Sequence, residues 1–305
     1  MIQNNKKKKV GIILVIFAVF ISSMIVVKRY SWLTFIEITQ LQTNTPQQMM
    51  GYFIKTKDNK VIIVDGGNRG DAENLEKYIK ENGGKVDYWF ITHFHTDHSG
   101  ALAEVIETTD IPIDNIVCKF IDGDLVPQYE EERVFQYQDI TNALNNERVK
   151  DKIITPTDGQ IFYFDDKDNL KVKILSVCRD DIFNNLGNNS SMVFKLYINN
   201  KTMLFLGDTG VESSAYLLEH CKEDLKSDYV QMAHHGQQGA TFELYQVIDP
   251  SYCFWPTPDW LWDNDLGEGY NTAPYKTIET REWMDSLNVK ESYVEKDGDV
   301  TVLIK

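Results

Sequence analysis

Cysteine is scarce in this 305-residue chain, and Cys118, Cys178, Cys221 and Cys253 stand too far apart to form a Cys-x-x-Cys pair. That spacing argues against a cysteine-built structural zinc. Small buried thiols are the expected use of all four, although three disulfide pairings are formally open. Positive charge is also in short supply: 31 lysines and arginines against 46 aspartates and glutamates give a net charge of −15. Six of the basic residues and no acidic one fall in the first thirty positions, so the remainder carries 25 basic against 46 acidic residues, a net of −21. So acidic a body repels polyanions at long range and argues against a broad nucleic-acid groove built from lysine and arginine. No internal repeat and no low-complexity linker follows the N-terminus, and the length suffices for one large core.

Long apolar runs are limited to one. Val10 to Val27 is broken only by Gly11, Ser22 and Ser23, and at about 1.5 Å per helical residue it can just cross a bilayer. Lys6 to Lys9 precede it, whereas only Lys28 and Arg29 closely follow, which orients the N-terminus to the cytoplasm and the rest outside. The run lacks an Ala-x-Ala-like exit and a nearby cysteine, so an uncleaved anchor is expected rather than a signal peptide or a lipid anchor. Residues 1–30 are therefore read as a basic N-terminus with a single transmembrane helix, and residues 31–305 as one extracytoplasmic domain at the cell membrane.

Histidine is rare too, six in all and none between His98 and His220, yet three of the six crowd into Thr92 to Gly100, as His93-x-His95-x-Asp97-His98. On a loop leaving a strand, alternate residues point the same way, so His93 and His95 can grip one ion while Asp97 and His98 face a neighbouring position. Imidazole with carboxylate suits zinc, iron or manganese, and two ions about 3.5–4 Å apart would clamp the attacking and leaving oxygens of a displacement.

Around that cluster the pattern alternates short strands and helices. Strands are predicted over Trp32 to Thr39, Tyr52 to Thr56, Val61 to Val64 and Val86 to Thr92, with a helix over Asp71 to Glu81 between the last two. Ala101 to Thr108 reads as a helix, Asn115 to Phe120 as a strand and Gln128 to Lys152 as a charged, helical surface segment. A strand at Leu170 to Val177 and a polar loop, Cys178 to Ser190, precede a hairpin of Met192 to Ile198 with Thr202 to Leu206 across Asn199-Asn200. Then come a helix over Val211 to Cys221 and a strand over Asp228 to Met232, which delivers His234-His235-Gly236. Reactive residues after strand ends argue for a layered α/β fold whose loops at one sheet edge build one site.

Taken together, Asp65 in Val-Asp-Gly-Gly, the His93 to His98 cluster, Asp208 in Leu-Gly-Asp and His234-His235-Gly resemble the metallo-β-lactamase fold hydrolases, over nearly all of residues 31–305. Asn188-Asn189-x-Ser191, Leu206-Gly207-Asp208-Thr209-Gly210 and Ala233-His234-His235-Gly236 bring the likeness nearest to the hydrolase domain of ComEC-type competence proteins and their stand-alone relatives. The resemblance implies a four-layer αββα sandwich. It places His93 and His95 on a first metal, Asp97 and His98 on a second, Asp208 bridging, and one of His234 and His235 completing the second site. Spacing does not choose between those two histidines. Asp65 would steady a ligating histidine from behind.

Two departures matter. The histidine usual between the cluster and the bridging aspartate is absent; Asn188 or Asn189 would offer a neutral oxygen or a substrate contact there, which tilts the site toward manganese or toward one tightly held and one labile ion, zinc or manganese being the metals expected. At Tyr270-Asn271-Thr272-Ala273-Pro274, Ala273 stands where ComEC-like chains often carry histidine. The aromatic stretch Cys253 to Tyr270, with Phe254, Trp255, Trp260, Trp262 and Tyr270, can be read as a substrate platform or as loop packing.

The expected function is a membrane-anchored hydrolase with one or two divalent ions, acting through metal-activated water on a phosphoester or phosphodiester. Asp97 orients or deprotonates the water, and His234 or His235 assists the leaving group. Lactone, thioester or amide hydrolysis uses the same chemistry, and a non-catalytic metal- or nucleotide-binding sensor is the rival outside enzymology.

Overall fold

Val61-Ile62-Ile63-Val64 shows how this sequence makes a strand. Four consecutive β-branched side chains disfavour helix and suit a pleated surface, and all four are buried. Val61 and Ile63 join the packing on one side of their sheet, Ile62 and Val64 the packing on the other. A strand covered on both faces reads as a continuous apolar run rather than an alternation.

In a computed structural model, which describes residues 35–165 and 169–305, the first strands in chain order are β1 (Ile36–Gln40), β2 (Gly51–Thr56), β3 (Val61–Asp65), β4 (Tyr88–Phe90), β5 (Ile116–Val117) and β6 (Ile153–Ile154). There follow β7 (Ile161–Tyr163), β8 (Leu170–Ser176), β9 (Val193–Ile198), β10 (Lys201–Phe205), β11 (Tyr229–Gln231), β12 (Tyr252–Trp255), β13 (Glu291–Val294) and β14 (Val300–Ile304). They form two seven-stranded sheets, ordered β14-β1-β2-β3-β4-β5-β6 and β13-β12-β11-β10-β9-β8-β7. In each, a run of antiparallel pairs turns parallel at one strand, β3 in the first sheet and β10 in the second. Asp65 ends β3 and Asp208 follows β10.

The sheets face each other across an aromatic layer in which Phe90 meets Phe194 at 5.3 Å between ring centroids, Phe194 stacks on Phe205 at 4.9 Å, and Tyr52 abuts Phe205 edge-on at 5.3 Å. Helices Ala72–Glu81, Thr96–Thr108 and Val134–Leu144 cover the outer face of the first sheet. Helices Val211–His220, Phe242–Ile248 and Thr277–Ser286 cover the second. The expected αββα sandwich is therefore present.

Several boundaries differ from expectation. The strand expected over Val86 to Thr92 is continuous only over Tyr88–Phe90, with Val86 paired to Ile113 in a separate bridge before it. The helix expected from Ala101 starts at Thr96, with His95 as its N-cap, so Asp97 and His98 occupy a helical first turn rather than an extended loop. That position suits a carboxylate, because the helix N-terminus carries partial positive charge. Gln128 to Lys152 is not merely a surface segment: Ile140, Ala143 and Leu144 are buried against the helix Thr96–Thr108, and Glu130 is buried as well. The loop from Cys178 contains a helical turn, Leu186–Asn189. The hairpin stands as expected, with Asn199 in the left-handed conformation its turn needs.

Among the described residues no helix is long and apolar enough to cross a membrane; the anchor expected at Val10 to Val27 lies outside the described residues. All four cysteines are free thiols; Cys118, Cys178 and Cys253 are buried as expected, whereas Cys221 is half-buried.

Candidate metal centre

Asp65 is the post behind the site. Its φ of 53° puts it in the left-handed region at the end of β3, where its carboxylate accepts the Thr92 N–H at 2.7 Å, the Thr92 hydroxyl at 2.8 Å and His98 Nδ1–H at 2.7 Å. Because a carboxylate accepts only, the proton must sit on Nδ1, and His98 Nε2 turns its lone pair inward.

The same logic sets the other rings. Thr92 gives its hydroxyl proton to Asp65, so His93 Nδ1–H donates to Thr92 Oγ1 at 3.1 Å. His235 Nδ1–H donates to the Pro256 carbonyl at 3.0 Å and His234 Nδ1–H to the Gln238 carbonyl at 3.0 Å. His95 is held by its other nitrogen, Nε2, 3.3 Å from Glu130 Oε2.

The freed atoms converge. His98 Nε2 stands 3.1 Å from Asp208 Oδ1, and His235 Nε2 stands 3.3 Å from Asp97 Oδ2 and 3.6 Å from Asp208 Oδ2. His93 Nε2 and His234 Nε2 each lie 3.9 Å from Asp208 Oδ2. Donor atoms of Asp97, His98, Asp208 and His235 all fall within 4.8 Å of one another. Yet the Nε2 atoms of His93, His98 and His235 and Oδ1 of Asp208 are buried without a hydrogen-bond partner among the described residues. Buried ring nitrogens and carboxylate oxygens converging on one point without partners are costly unless a cation, a proton or a metal ion, sits among them, so a divalent ion fits this cluster.

Charge tells the same story. Burial opposes protonation of His98 and His235, but Asp208 with Asp65 raises the first, and Asp208 with Asp97 brings the second to about 10. Burial and the neighbouring imidazoles lower His93. Burial pushes Asp97 and Asp208 up, and the histidines override it and hold both well below the usual carboxylate range. The two carboxylates thus stay ionised and keep His98 and His235 protonated, where an ion would otherwise supply the positive charge.

The structure also separates residues that spacing could not. His235 is fully buried among the converging donors, whereas His234, with 19% of its side chain exposed, sits at the mouth. The segment is not extended: His234 and His235 both have positive φ, 49° and 55°, followed by Gly236 at 78°. Asn188 turns to the cluster, donating from Nδ2 to His234 Nε2 at 3.3 Å while its Oδ1 is buried without a partner among the described residues. Asn189 turns away; its Oδ1 accepts the Gly210 and Ser213 N–H groups at the start of the helix Val211–His220. The aromatic stretch is mostly packing, since Phe254 and Trp255 are buried in the core and Trp262 meets Trp255 edge-on at 5.3 Å.

Sequence reading missed the supports. Gln231 Oε1 accepts both the Leu206 and Gly207 N–H groups at 2.8 Å, which pins the turn carrying Asp208. Gln48 donates to Asp97 Oδ2 at 3.0 Å and accepts from Gln237 at 2.9 Å. Ser191 accepts the Asp208 N–H at 2.9 Å. Only Ser191 stood in a motif; nothing local marks a glutamine or a glutamate as the partner of a residue far along the chain.

The model of the metallo-β-lactamase superfamily matches residues 45–266, well over half of the chain. The chain belongs to that superfamily. Within this metallo-β-lactamase family, a hydroxyacylglutathione hydrolase of Idiomarina loihiensis is 38% identical over 61 residues, 20% of this chain and 23% of that protein. A probable metallo-hydrolase, YqgX of Bacillus subtilis, is 41% identical over 68 residues, 22% of this chain and 31% of that one. The match thus spans less than a third of either curated relative. The metallo-β-lactamase fold protein YhfI of Bacillus subtilis superposes with a TM-score of 0.52 at 12% identity, covering 88% of this chain and all of that one, a likeness of fold.

Proposed function

We propose that this chain is a metal-dependent hydrolase whose substrate is a phosphoester or phosphodiester. The observation that carries the metal reading is the convergence of Asp97, His98, Asp208 and His235 with buried, unpartnered nitrogens. His93 and His95 would hold a first ion, Asp97, His98 and His235 a second, with Asp208 between them. Bound there, divalent ions supply Lewis acidity and make water a nucleophile at neutral pH. Zinc and manganese suit the imidazole and carboxylate donors.

The chain's own residues do the rest. Asp97, oriented by Gln48, is placed to orient the attacking water and take its proton. Burial lowers the His234 pKa, so the ring is neutral near pH 7 and accepts at Nε2 from Asn188. That makes it a proton acceptor at the mouth, a role opposite to the leaving-group acid expected from sequence. His235, buried among the carboxylates, is assigned to the ion rather than to proton transfer. The amides of Asn188, Gln48 and Gln237 stand beside the cluster as neutral groups in an otherwise acidic protein, engaged with His234, Asp97 and Gln48 respectively.

The ComEC-like motif around Asn188 and Asp208 supports the phosphodiester reading, and the basic, apolar N-terminus supports an anchor over residues 1–30 with the domain of residues 31–305 outside the cell membrane. A relative named hydroxyacylglutathione hydrolase favours a second reading, hydrolysis of an acyl bond.

The deciding experiment strips the full chain of metal, restores zinc, manganese or iron, and assays bis-p-nitrophenyl phosphate, a phosphomonoester, a lactone, a thioester and single-stranded DNA, with Asp97→Ala as control. Metal-dependent phosphodiester turnover that the variant lacks is the expected result. Turnover of the lactone or thioester alone would replace the phosphoester reading, and bound metal with no turnover anywhere would favour a sensor.

A further inference from the structure

His95 is anchored unlike the other histidines. Where His93, His234 and His235 lean on a hydroxyl or a carbonyl, and His98 leans on the carboxylate of Asp65, His95 presents Nε2 to Glu130 Oε2 at 3.3 Å. The other oxygen of that carboxylate accepts the Gly187 N–H at 2.9 Å. Glu130 is only 8% exposed and comes from the turn between helix Val126–Tyr129 and the segment Glu131–Arg133, part of the charged stretch whose sequence reads as surface. A buried carboxylate costs several kcal/mol unless it is well paired. Here the partners are a histidine of the cluster and one backbone amide.

Gly187 belongs to the same device. A Cβ at that position would overlap His95 Nε2 and come within 2.7 Å of Glu130 Oε2, so a glycine is what lets the chain pass beside the pair. It immediately precedes Asn188, in the stretch where the histidine usual in related hydrolases is absent.

We propose that Glu130 is the positioning residue of the first ion's site, an inference that rests on the metal reading above. By accepting the Nε2 proton it fixes His95 in the tautomer whose Nδ1 holds the lone pair, leaving Nδ1 as the ring's one donor atom. Its negative charge makes that imidazole a stronger donor, which offsets a ligand set one histidine short. Its second oxygen ties His95 to the segment that carries Asn188.

Calorimetric titration of the metal-free full chain with zinc, together with cobalt absorption spectra, tests this on Glu130→Gln, Glu130→Ala, His95→Ala and the His95→Ala/Glu130→Ala double variant. Glu130→Ala is expected to weaken one binding step about 10–100-fold and leave the other unchanged, with Glu130→Gln, which keeps an acceptor oxygen without the charge, falling between. The double variant should bind no worse than His95→Ala alone, because Glu130 acts through that ring. Full additivity of the two losses, or unaltered binding in both Glu130 variants, would show that Glu130 only pins the loop and would overturn the proposal. Should the alanine variant fail to fold, the near-isosteric glutamine variant decides by the same criterion. A wild-type chain that binds no divalent ion would sink the metal reading itself, and this inference with it.

Discussion

Asp208 illustrates what one side chain must do here: three histidine nitrogens lie between 3.6 and 3.9 Å from its Oδ2, and a fourth lies 3.1 Å from Oδ1. The division between adjacent His234 and His235 follows from burial and gives a sharp expectation. His235→Ala should lose one equivalent of bound ion and lower kcat by about 100-fold or more, whereas His234→Ala should keep the metal and lose about 100-fold in kcat; elemental analysis beside steady-state kinetics distinguishes them. Asp65→Asn, which weakens the acceptor behind His98, should cost about 10–100-fold in metal affinity with little change in fold. Protons compete with the ion in a definite direction. Because Asp208 and Asp97 hold His235 at about 10 against the effect of burial, the ring is protonated at neutral pH in the metal-free protein and must lose that proton to coordinate. Affinity should therefore climb as pH rises toward that value, with proton release on binding visible in calorimetry across buffers of different ionisation enthalpy.

Elements set where such residues stand. The turn after β11 carries three successive positive φ values, at His234, His235 and Gly236, a conformation costing about 1–3 kcal/mol at each non-glycine position and kept only where the surroundings enforce it. Enforcement comes from the Pro256 and Gln238 carbonyls on the two rings and from Thr257, whose hydroxyl donates to the His235 carbonyl at 2.6 Å. Gly236 is the hinge that lets the backbone pass Trp255, whose ring a Cβ would overlap. Gly236→Ala should destabilise the fold by about 1–3 kcal/mol in urea melts and reduce metal content, since the strain falls on the ligand before it. Between the sheets Phe90, fully buried against Phe194 and Phe162, should cost about 3–5 kcal/mol as Phe90→Ala while a properly folded remainder still binds metal.

At the scale of the whole molecule, β14 returns to pair with β1 from Ile36–Ile304 to Gln40–Val300, as the edge strand of the first sheet. The short turn before β14 carries Glu295, fully buried, with one oxygen accepting the Thr43 N–H at 2.9 Å and the other unpartnered among the described residues. Burial lifts its pKa to about 8. A carboxyl raised above its unfolded value holds its proton longer in the fold than in the unfolded chain. Its contribution is thus fully present below the unfolded value and is lost as pH rises through about 8. Stability should fall across that window by an amount on the order of a few kcal/mol, and Glu295→Gln, which keeps the acceptor for Thr43, should flatten the dependence in urea melts near about pH 6 and about pH 9.

The metal-binding chemistry was legible in the sequence because the ligands lie close together in it: His93, His95, Asp97 and His98 fall within six positions, the strand that delivers Asp65 announces itself by a β-branched run, and the strand before Asp208 ends in an apolar Met-Leu-Phe. A layered α/β fold was legible in the rhythm of short strands and helices, whereas the αββα order of the layers came from the family resemblance of the motifs. Helix and strand ends were less so, because the cluster's own Thr96-Asp97-His98 begins a helix that its loop-like composition hides. Tertiary structure alone decided that His235 rather than His234 meets the other donors, that Asn188 faces the site while Asn189 caps a helix, and that a glutamate read as surface is bonded to His95. Those outcomes turn on burial, backbone handedness and contacts between distant segments, such as Glu130 with His95 and Gly187. Each depends on which chain passes beside which, and spacing along one chain does not encode it.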